Sequence, residues 1–192
     1  MKTRFFALAL LFAGLTLGAS AQSYKYPSFH MGLRGGFSTN SFSENGKSLL
    51  FPQGGIAADF RVAPIPLYFE TGAYYMNKGA KDYEKVSYSY YSLVPEKEDV
   101  DDHTVYAPVL LSYHLYLNDN MAVQPFAGAT VGYGFDSEDV EAAIRIGCGF
   151  NLGRLYANLG YDIGMTKHDG WPKKYKNNTF FMTIGFNWAG GR

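Results

Sequence analysis

The 192-residue chain contains one cysteine, Cys148, and so cannot form an internal disulfide. It carries 17 basic and 17 acidic residues without a basic stripe, which gives no electrostatic basis for binding nucleic acid. After residue 17 it has no apolar run of the roughly 18 residues that a transmembrane helix needs. Stability must therefore come from backbone pairing and packing, and any part that enters a bilayer must do so as strands.

The N-terminal segment has the order of a secretory signal peptide. Lys2 and Arg4 precede an apolar run from Phe5 to Leu17, and Ala19 and Ala21 occupy the −3 and −1 positions of a cleavage site. A membrane anchor helix is the alternative, but the run is too short for one and small residues follow it. We therefore predict cleavage after Ala21.

Cleavage there divides the chain into a signal peptide, residues 1–21, and one mature domain, residues 22–192. The loss of Lys2 and Arg4 leaves 15 basic and 17 acidic residues, a net charge of −2. The residue after the cleavage point is Gln22 rather than cysteine, so a lipid anchor is not expected.

Apolar residues alternate with polar or small residues in about eight segments of the mature domain. A period of two is typical of β-strands, and each segment is near the length of roughly ten residues that a tilted strand needs to cross a bilayer. The predicted strands cover residues 29–37, 56–62, 67–75, 105–115, 123–133, 142–152, 155–163 and 180–188.

The connections between these segments alternate in length. Short turns fall at 63–66, 116–120 and 153–154, and long links fall at 38–53, 77–103, 134–140 and 166–178. Short turns at one end and long loops at the other are typical of an outer-membrane barrel, with the short turns and both termini in the periplasm.

The same alternation would fit a soluble barrel whose apolar face points inward. About forty residues lie on the apolar face, however, and the interior of an eight-stranded barrel is only just wide enough to be filled by side chains. The opposite face is rich in glycine, which suits a narrow interior. The sequence therefore predicts an all-β fold, an antiparallel up-and-down transmembrane barrel of eight strands whose apolar face contacts lipid.

Several short pieces of the chain resemble the PorT-like family of small outer-membrane β-barrels found in Bacteroidota. The pieces are Leu67–Gly72, Tyr106–Leu111, Pro125–Gly128, Gly147–Phe150, Asn178–Phe180 and Gly185–Phe186, in this order. The resemblance covers the whole mature domain. It implies an eight-stranded barrel in the outer membrane, and it implies little about activity.

The C-terminus departs from the usual pattern of such barrels, which finish on an aromatic residue. Here Ala189–Arg192 follow Trp188. We expect Phe186 or Trp188 to act as the signal for the outer-membrane assembly machinery.

Six charged residues are predicted to point into the lumen from several strands. They are Arg34, Asp59, Arg61, Glu70, Arg145 and Asp162. Charges in a narrow lumen are tolerated only when they are paired and hydrogen-bonded, so we interpret the set as a mutually neutralising network. A constriction that selects a solute is the alternative.

No catalytic, cofactor or metal site is predicted. His30 and His114 face the lumen from different strands, His103 and His168 belong to the loop side, and no pair has the spacing of a zincin site. Ser112 and His114 share one face, but two residues along a strand are separated by roughly 7 Å, too far for a direct hydrogen bond.

The long link 77–103 is the most individual part of the chain. Val86–Leu93 has enough β-propensity to continue the strands above the membrane. The candidates for contact with a partner are its tyrosines, Tyr83, Tyr88, Tyr90 and Tyr91, because tyrosine provides a large contact area at low entropic cost. A solvated loop without a ligand is the alternative.

The expected function is that of a non-catalytic integral outer-membrane protein with a structural or surface-interaction role. The alternatives are a binding module that uses its extracellular loops for adhesion or secretion assembly, a narrow pore, and a lipid-modifying enzyme. The expected partners are outer-membrane lipid, the assembly machinery and an envelope or extracellular protein. No nucleic acid and no cofactor are expected.

Overall fold

The computed structural model describes residues 26–42, 50–89, 92–166, 168–169, 174–175 and 177–190. For residues 41–42, 79–89, 92–101, 168–169, 174–175 and 177 the description covers the backbone only. The predicted signal peptide lies outside the described residues and stays a prediction. In the described part of the chain, no helix is long and apolar enough to cross a membrane.

Eleven strands form the described structure. They are β1 (Phe29–Phe42), β2 (Leu50–Arg61), β3 (Leu67–Ser89), β4 (Ser92–Tyr113), β5 (Leu115–Asn118), β6 (Met121–Gly134), β7 (Val140–Leu152), β8 (Leu155–Gly164), β9 (His168–Asp169), β10 (Lys174–Tyr175) and β11 (Asn177–Gly190). Strands β9 and β10 pair only with each other, within the link between β8 and β11.

The eight long strands close into one antiparallel barrel. Each pairs with its neighbour in the chain, β4 pairs with β6 across the short β5, and β11 pairs with β1. Every barrel strand therefore has two partners, and the wall has no open edge. The predicted eight-stranded, up-and-down, all-β fold is confirmed.

Side chains alternate between the two faces of the wall. On β8, Leu155 and Leu159 are more than half exposed, whereas Tyr156 and Asp162 are buried. Large apolar side chains cover the outside of all eight strands, among them Leu33, Ile56, Tyr75, Leu111, Val131, Ile146, Leu159 and Ile184. The apolar face therefore points outward, as predicted. A continuous apolar belt of this kind is typical of a surface that faces lipid and not water.

The strand ends on the loop side differ in part from the prediction. Within the link 77–103 the β-propensity of Val86–Leu93 predicted a continuation of the strands, and here β3 does continue to Ser89 and β4 begins at Ser92, with these two residues paired. The link 38–53 is shorter than predicted, because β1 reaches Phe42 and β2 begins at Leu50. Backbone pairing does not require an apolar face, so strands extend past the point where hydrophobic alternation ends.

The short turns agree better with the prediction. Residues 62–66, 119–120 and 153–154 connect successive strands at one end of the barrel. We call this the periplasmic end, since short turns face the periplasm in outer-membrane barrels. Within the predicted turn 116–120 the structure has part of β5, which continues the line of β4.

Candidate functional site

Arg145 and Asp162 form the central ion pair of the lumen. They face each other across β7 and β8, and the guanidinium donates two hydrogen bonds to the carboxylate, Nε to Oδ1 and Nη2 to Oδ2, each at 2.7 Å. Both residues are buried. The guanidinium also lies 4.1 Å from the ring centre of Phe181 and 4.8 Å from that of Tyr106. The charge is thus held by a bidentate partner and by two aromatic faces.

Arg34 and Glu70 contribute buried charges from β1 and β3. The Arg34 guanidinium lies 3.9 Å from the ring centre of Tyr156, and its Nη1 donates to the carbonyl of Leu33 at 3.2 Å. Glu70 interacts electrostatically with Arg34, Arg145 and Asp59. These groups are therefore connected across the lumen rather than isolated in separate pockets.

Asp59 is in contact with a histidine side chain. It lies within 2.6 Å of His30 Nδ1, and both side chains are buried. Asp59 is also the cross-strand neighbour of Glu70. Arg61, the sixth charge predicted to face the lumen, lies at the periplasmic end of β2 and is only partly buried. The structure thus brings five of the six residues together and leaves Arg61 at the rim.

Ser112 and His114 correct the sequence-based interpretation. We expected them to be too far apart for a direct hydrogen bond, but Ser112 Oγ lies 3.1 Å from His114 Nε2. The reason is that β4 ends at Tyr113, so His114 falls in the break before β5 and does not follow the strand geometry. Gln124 Nε2 lies 3.2 Å from His114 Nδ1, and the Tyr68 ring stacks on the imidazole with centroids 3.7 Å apart.

This Ser–His arrangement does not form an accessible nucleophile. Ser112 and His114 are each only 1 % exposed, so a lipid substrate cannot reach the hydroxyl group. The third group in this series of hydrogen-bonded side chains is the carboxamide of Gln124, which cannot stabilise an imidazolium as a carboxylate does. The contact is best explained as hydrogen bonding that satisfies buried polar groups.

Aromatic rings fill the space between the charged groups. Phe126 and Phe181 stack with centroids 6.5 Å apart, and Tyr74 and Tyr106 stack at 5.1 Å. The wall makes room for the first pair at two facing glycines. An added Cβ at Gly147 would collide with the ring of Phe126, and one at Gly160 would collide with the ring of Phe181. The middle of the lumen is therefore packed and not open.

The loop-side end of the lumen contains further polar pairs that were not predicted from the sequence. Lys78 on β3 forms an ion pair with Glu141 on β7. Asp102 accepts hydrogen bonds from Ser137 Oγ at 2.8 Å and from the Asp136 backbone at 3.2 Å, which holds the β6–β7 turn. A cavity of about 20 Å³, lined in part by Lys78, Glu141 and Asp162, has room for roughly one water molecule.

The predicted surface contacts lie largely outside the described residues. Tyr90 and Tyr91 are not described, and for Tyr83 and Tyr88 only the backbone is, as part of β3. Among the described residues, no group of three or more His, Cys, Asp and Glu side chains is arranged to hold a metal ion.

Residues 7–189 match the family model described as "Outer membrane protein beta-barrel domain". The chain belongs to this family. As a member it is an outer-membrane β-barrel protein, and its outward apolar face is in contact with membrane lipid. A comparison with curated proteins finds no match.

Two solved outer-membrane barrels share the fold. The outer membrane enzyme PagL is 10 % identical, with a TM-score of 0.52 over 80 % of this chain and 98 % of that chain. Neisserial surface protein A is 13 % identical, with a TM-score of 0.50 over 85 % of this chain and 100 % of that chain. At these identities the likeness is one of fold alone. Since one relative is an enzyme and the other is named as a surface protein, the fold does not decide between these roles.

Proposed function

We propose that this protein is a non-catalytic outer-membrane barrel that holds a surface ribbon for contact with a protein partner. The ribbon consists of Asn77–Ser89 of β3 and Ser92–His103 of β4. The observation that carries the proposal is that this ribbon continues beyond the closed wall. The β2–β3 pairing stops at Met76 and the β4–β6 pairing stops at Thr104, whereas β3 and β4 remain paired out to Ser89 and Ser92.

The ribbon has the properties of an interaction element. At roughly 3.3 Å per residue its thirteen residues on β3 span about 40 Å, and among the described residues neither of its outer edges pairs with another strand. Unpaired edges offer backbone donors and acceptors to an added strand. Tyr83 and Tyr88 belong to the part of β3 that forms the ribbon, and Tyr90 and Tyr91 fall between its two strands in the sequence. Tyrosine is a residue type that provides a large contact area at low entropic cost. The partner class that fits is a protein with an extended segment.

The lumen supports a structural role and argues against transport. Its charges are paired or interact across the barrel, and the aromatic rings occupy the space between them. A pore would require a continuous solvated path past these groups. The enzyme alternative has no accessible nucleophile in the Ser112–His114 pair.

The proposal includes the finer assignments made from the sequence. The protein is a PorT-like barrel, it is exported through a signal peptide cleaved after Ala21, and Phe186 or Trp188 is recognised by the assembly machinery. A role within a secretion assembly is consistent with that resemblance, with the ribbon as the contact surface.

The proposal is tested by crosslinking this protein to its neighbours in intact outer membranes, purifying it and identifying the proteins attached to it. Replacement of Tyr83, Tyr88, Tyr90 and Tyr91 by serine should abolish crosslinks to a specific protein while the barrel remains assembled. The matched control replaces Ser87, Ser89 and Ser92 by alanine in the same ribbon and should keep the crosslinks. A partner that is captured equally by both variants, or no specific partner with the wild type, would contradict the proposal.

A further inference from the structure

A hollow of about 790 Å³ lies on the outside of the barrel wall, where β7, β8, β11, β1 and β2 run side by side. This volume falls within the range of roughly 300–1,000 Å³ that is typical of ligand-binding clefts. No residue that lines the hollow is more than six positions from the periplasmic end of its strand. Since a tilted strand needs about ten residues to cross a bilayer, the hollow opens mainly into the periplasmic leaflet.

The hollow exists because one row of the outer face carries small residues. Ile184 of β11 has Ala157 of β8 as its cross-strand neighbour on one side and Gly35 of β1 on the other. Gly54 of β2 is in turn the neighbour of Gly35. A Cβ added at Gly35 would have no atom nearer than 4.0 Å, so nothing in the protein fills the space above it. Ile184 is consequently 67 % exposed, more than any other large apolar side chain of the described residues.

A ridge of large apolar side chains borders this row on its periplasmic side. The residues of the ridge are successive cross-strand neighbours, namely Leu155, Phe186, Leu33 and Ile56. Neighbouring strands lie about 4.8 Å apart, so a hollow that crosses five strands is about 19 Å long. Because the strands tilt by about 45°, its extent along the membrane normal is about 13 Å, close to one leaflet of a hydrocarbon core about 30 Å thick.

The lining of the hollow offers hydrocarbon and no accessible polar side chain. Arg34 and Tyr156 are the two lining residues with polar side chains, and they are only 5 % and 4 % exposed. A ligand must therefore be apolar where it contacts the wall. The outer face of the wall already contacts membrane lipid, and the hollow is continuous with that face. We propose that one acyl chain of a phospholipid from the periplasmic leaflet occupies the hollow as a resident ligand.

A second copy of the barrel fits this hollow less well than a lipid chain does. The outer wall of a closed barrel is convex, and a convex wall that rests on the ridge leaves the row of small residues unfilled. A flexible chain can follow the row and gains the dispersion contacts that a void would lose. Two apolar walls are also not driven together inside a bilayer, because lipid tails are as apolar as the side chains.

Native mass spectrometry of the mature protein, extracted from outer membranes in detergent, tests for a resident lipid. The wild type should retain one phospholipid molecule after detergent washing has removed the other lipid. Gly35→Leu and Ala157→Leu should each lose this molecule, because the new side chain occupies the row. The matched control is Ala129→Leu, since Ala129 is an exposed alanine on β6, across the barrel from β1, and this variant should retain the lipid. Faster migration on a gel unheated than boiled verifies that each variant is assembled.

Photolabelling locates the chain on the wall. The probe is a phosphatidylethanolamine with a diazirine on one acyl chain, reconstituted with the protein in vesicles. It should label Leu33, Ile184 and Phe186 of the hollow. Labelling should be weaker at Val109 and Leu111, which are similarly exposed on β4 at the opposite side of the barrel. Equal labelling of both sides, or retention of the lipid by the two variants that fill the row, would overturn the proposal. A lipid-free dimer of the wild type would overturn it too, and would assign the hollow to a contact between two copies.

Discussion

Arg145 illustrates, at the scale of a single residue, how a charge is kept inside a membrane barrel. Two hydrogen bonds to Asp162 and the rings of Phe181 and Tyr106 replace the water that the guanidinium would otherwise have. Taking both charges out of water is costly, so the pair adds little net stability. Removal of only one member of the pair is expected to be destabilising, because the other charge remains buried and has no partner.

Arg145→Leu should therefore lower the free energy of unfolding by about 3–5 kcal/mol, since Asp162 would remain buried and unpaired. The double variant Arg145→Leu/Asp162→Leu should recover most of this loss. Urea unfolding in detergent, followed by tryptophan fluorescence, measures both. As a control, Arg154→Leu removes an exposed arginine from a turn and should cost little. Equal losses in the single and double variants would show that the charge pairing is not the cause.

The lipid-facing residues give a second prediction at this scale. Leu111 and Ile146 are about half exposed on the outer wall, in the apolar belt. An arginine at either position should lower the free energy of unfolding by about 2–4 kcal/mol, because the guanidinium would lie in hydrocarbon. Ser89→Arg at the tip of the ribbon should have little effect. Refolding into lipid vesicles measures these differences, and equal effects at Leu111 and Ser89 would argue against the assigned membrane-facing wall.

At the scale of elements, hydrophobic alternation predicted the eight barrel strands but not their loop-side ends, and only the β-propensity of Val86–Leu93 indicated the ribbon. Inside the membrane one face of each strand must be apolar, which creates the period of two. In the ribbon both faces are polar or mixed, as in Lys81–Lys85, so the hydrophobic pattern disappears while backbone pairing continues. Strand length beyond the membrane is therefore not encoded in hydrophobic alternation.

Which inward-facing residues come into contact could likewise be predicted only in part. Alternation predicts that Arg145 and Asp162 point inward, and the two-residue turn at 153–154 fixes their register, because Leu152 pairs with Leu155. The His30–Asp59 contact depends on the register of β1 and β2, which are joined by the longer link 43–49. A long link does not fix register, so this contact could not be predicted. The Ser112–His114 bond was missed because it depends on a break in β4.

We expect the barrel to assemble without the ribbon. A variant in which a two-residue turn replaces residues 80–101 keeps the β2–β3 pairing up to Met76 and the β4–β6 pairing from Thr104. We expect it to assemble and to migrate faster on a gel unheated than boiled, as the wild type should, because the closed wall is unchanged. Loss of this heat-dependent shift would mean that the ribbon is part of the folding unit.

At the scale of the whole molecule, closure of the wall and filling of the lumen are two separate properties. Closure satisfies every backbone group within the membrane. An eight-stranded wall leaves only enough interior for side chains, and here paired charges and stacked rings occupy the middle. A cavity of about 200 Å³ at the periplasmic end does not extend through this packed region, since its lining residues come from the turns and the periplasmic ends of strands.

The purified protein in planar lipid bilayers should therefore show no steady conductance. Glu70→Ala and Arg145→Ala test the cause, because each removes a charge from the interacting set that includes Arg34, Asp59 and Asp162. If the set is a structural plug, both variants should melt at a lower temperature while the membrane stays non-conducting, since the aromatic rings still fill the lumen. If it lines a pore, the charges are solvated and their loss is tolerated. A steady, ion-selective current in the wild type that these substitutions alter without lowering the melting temperature would identify transport as the function instead.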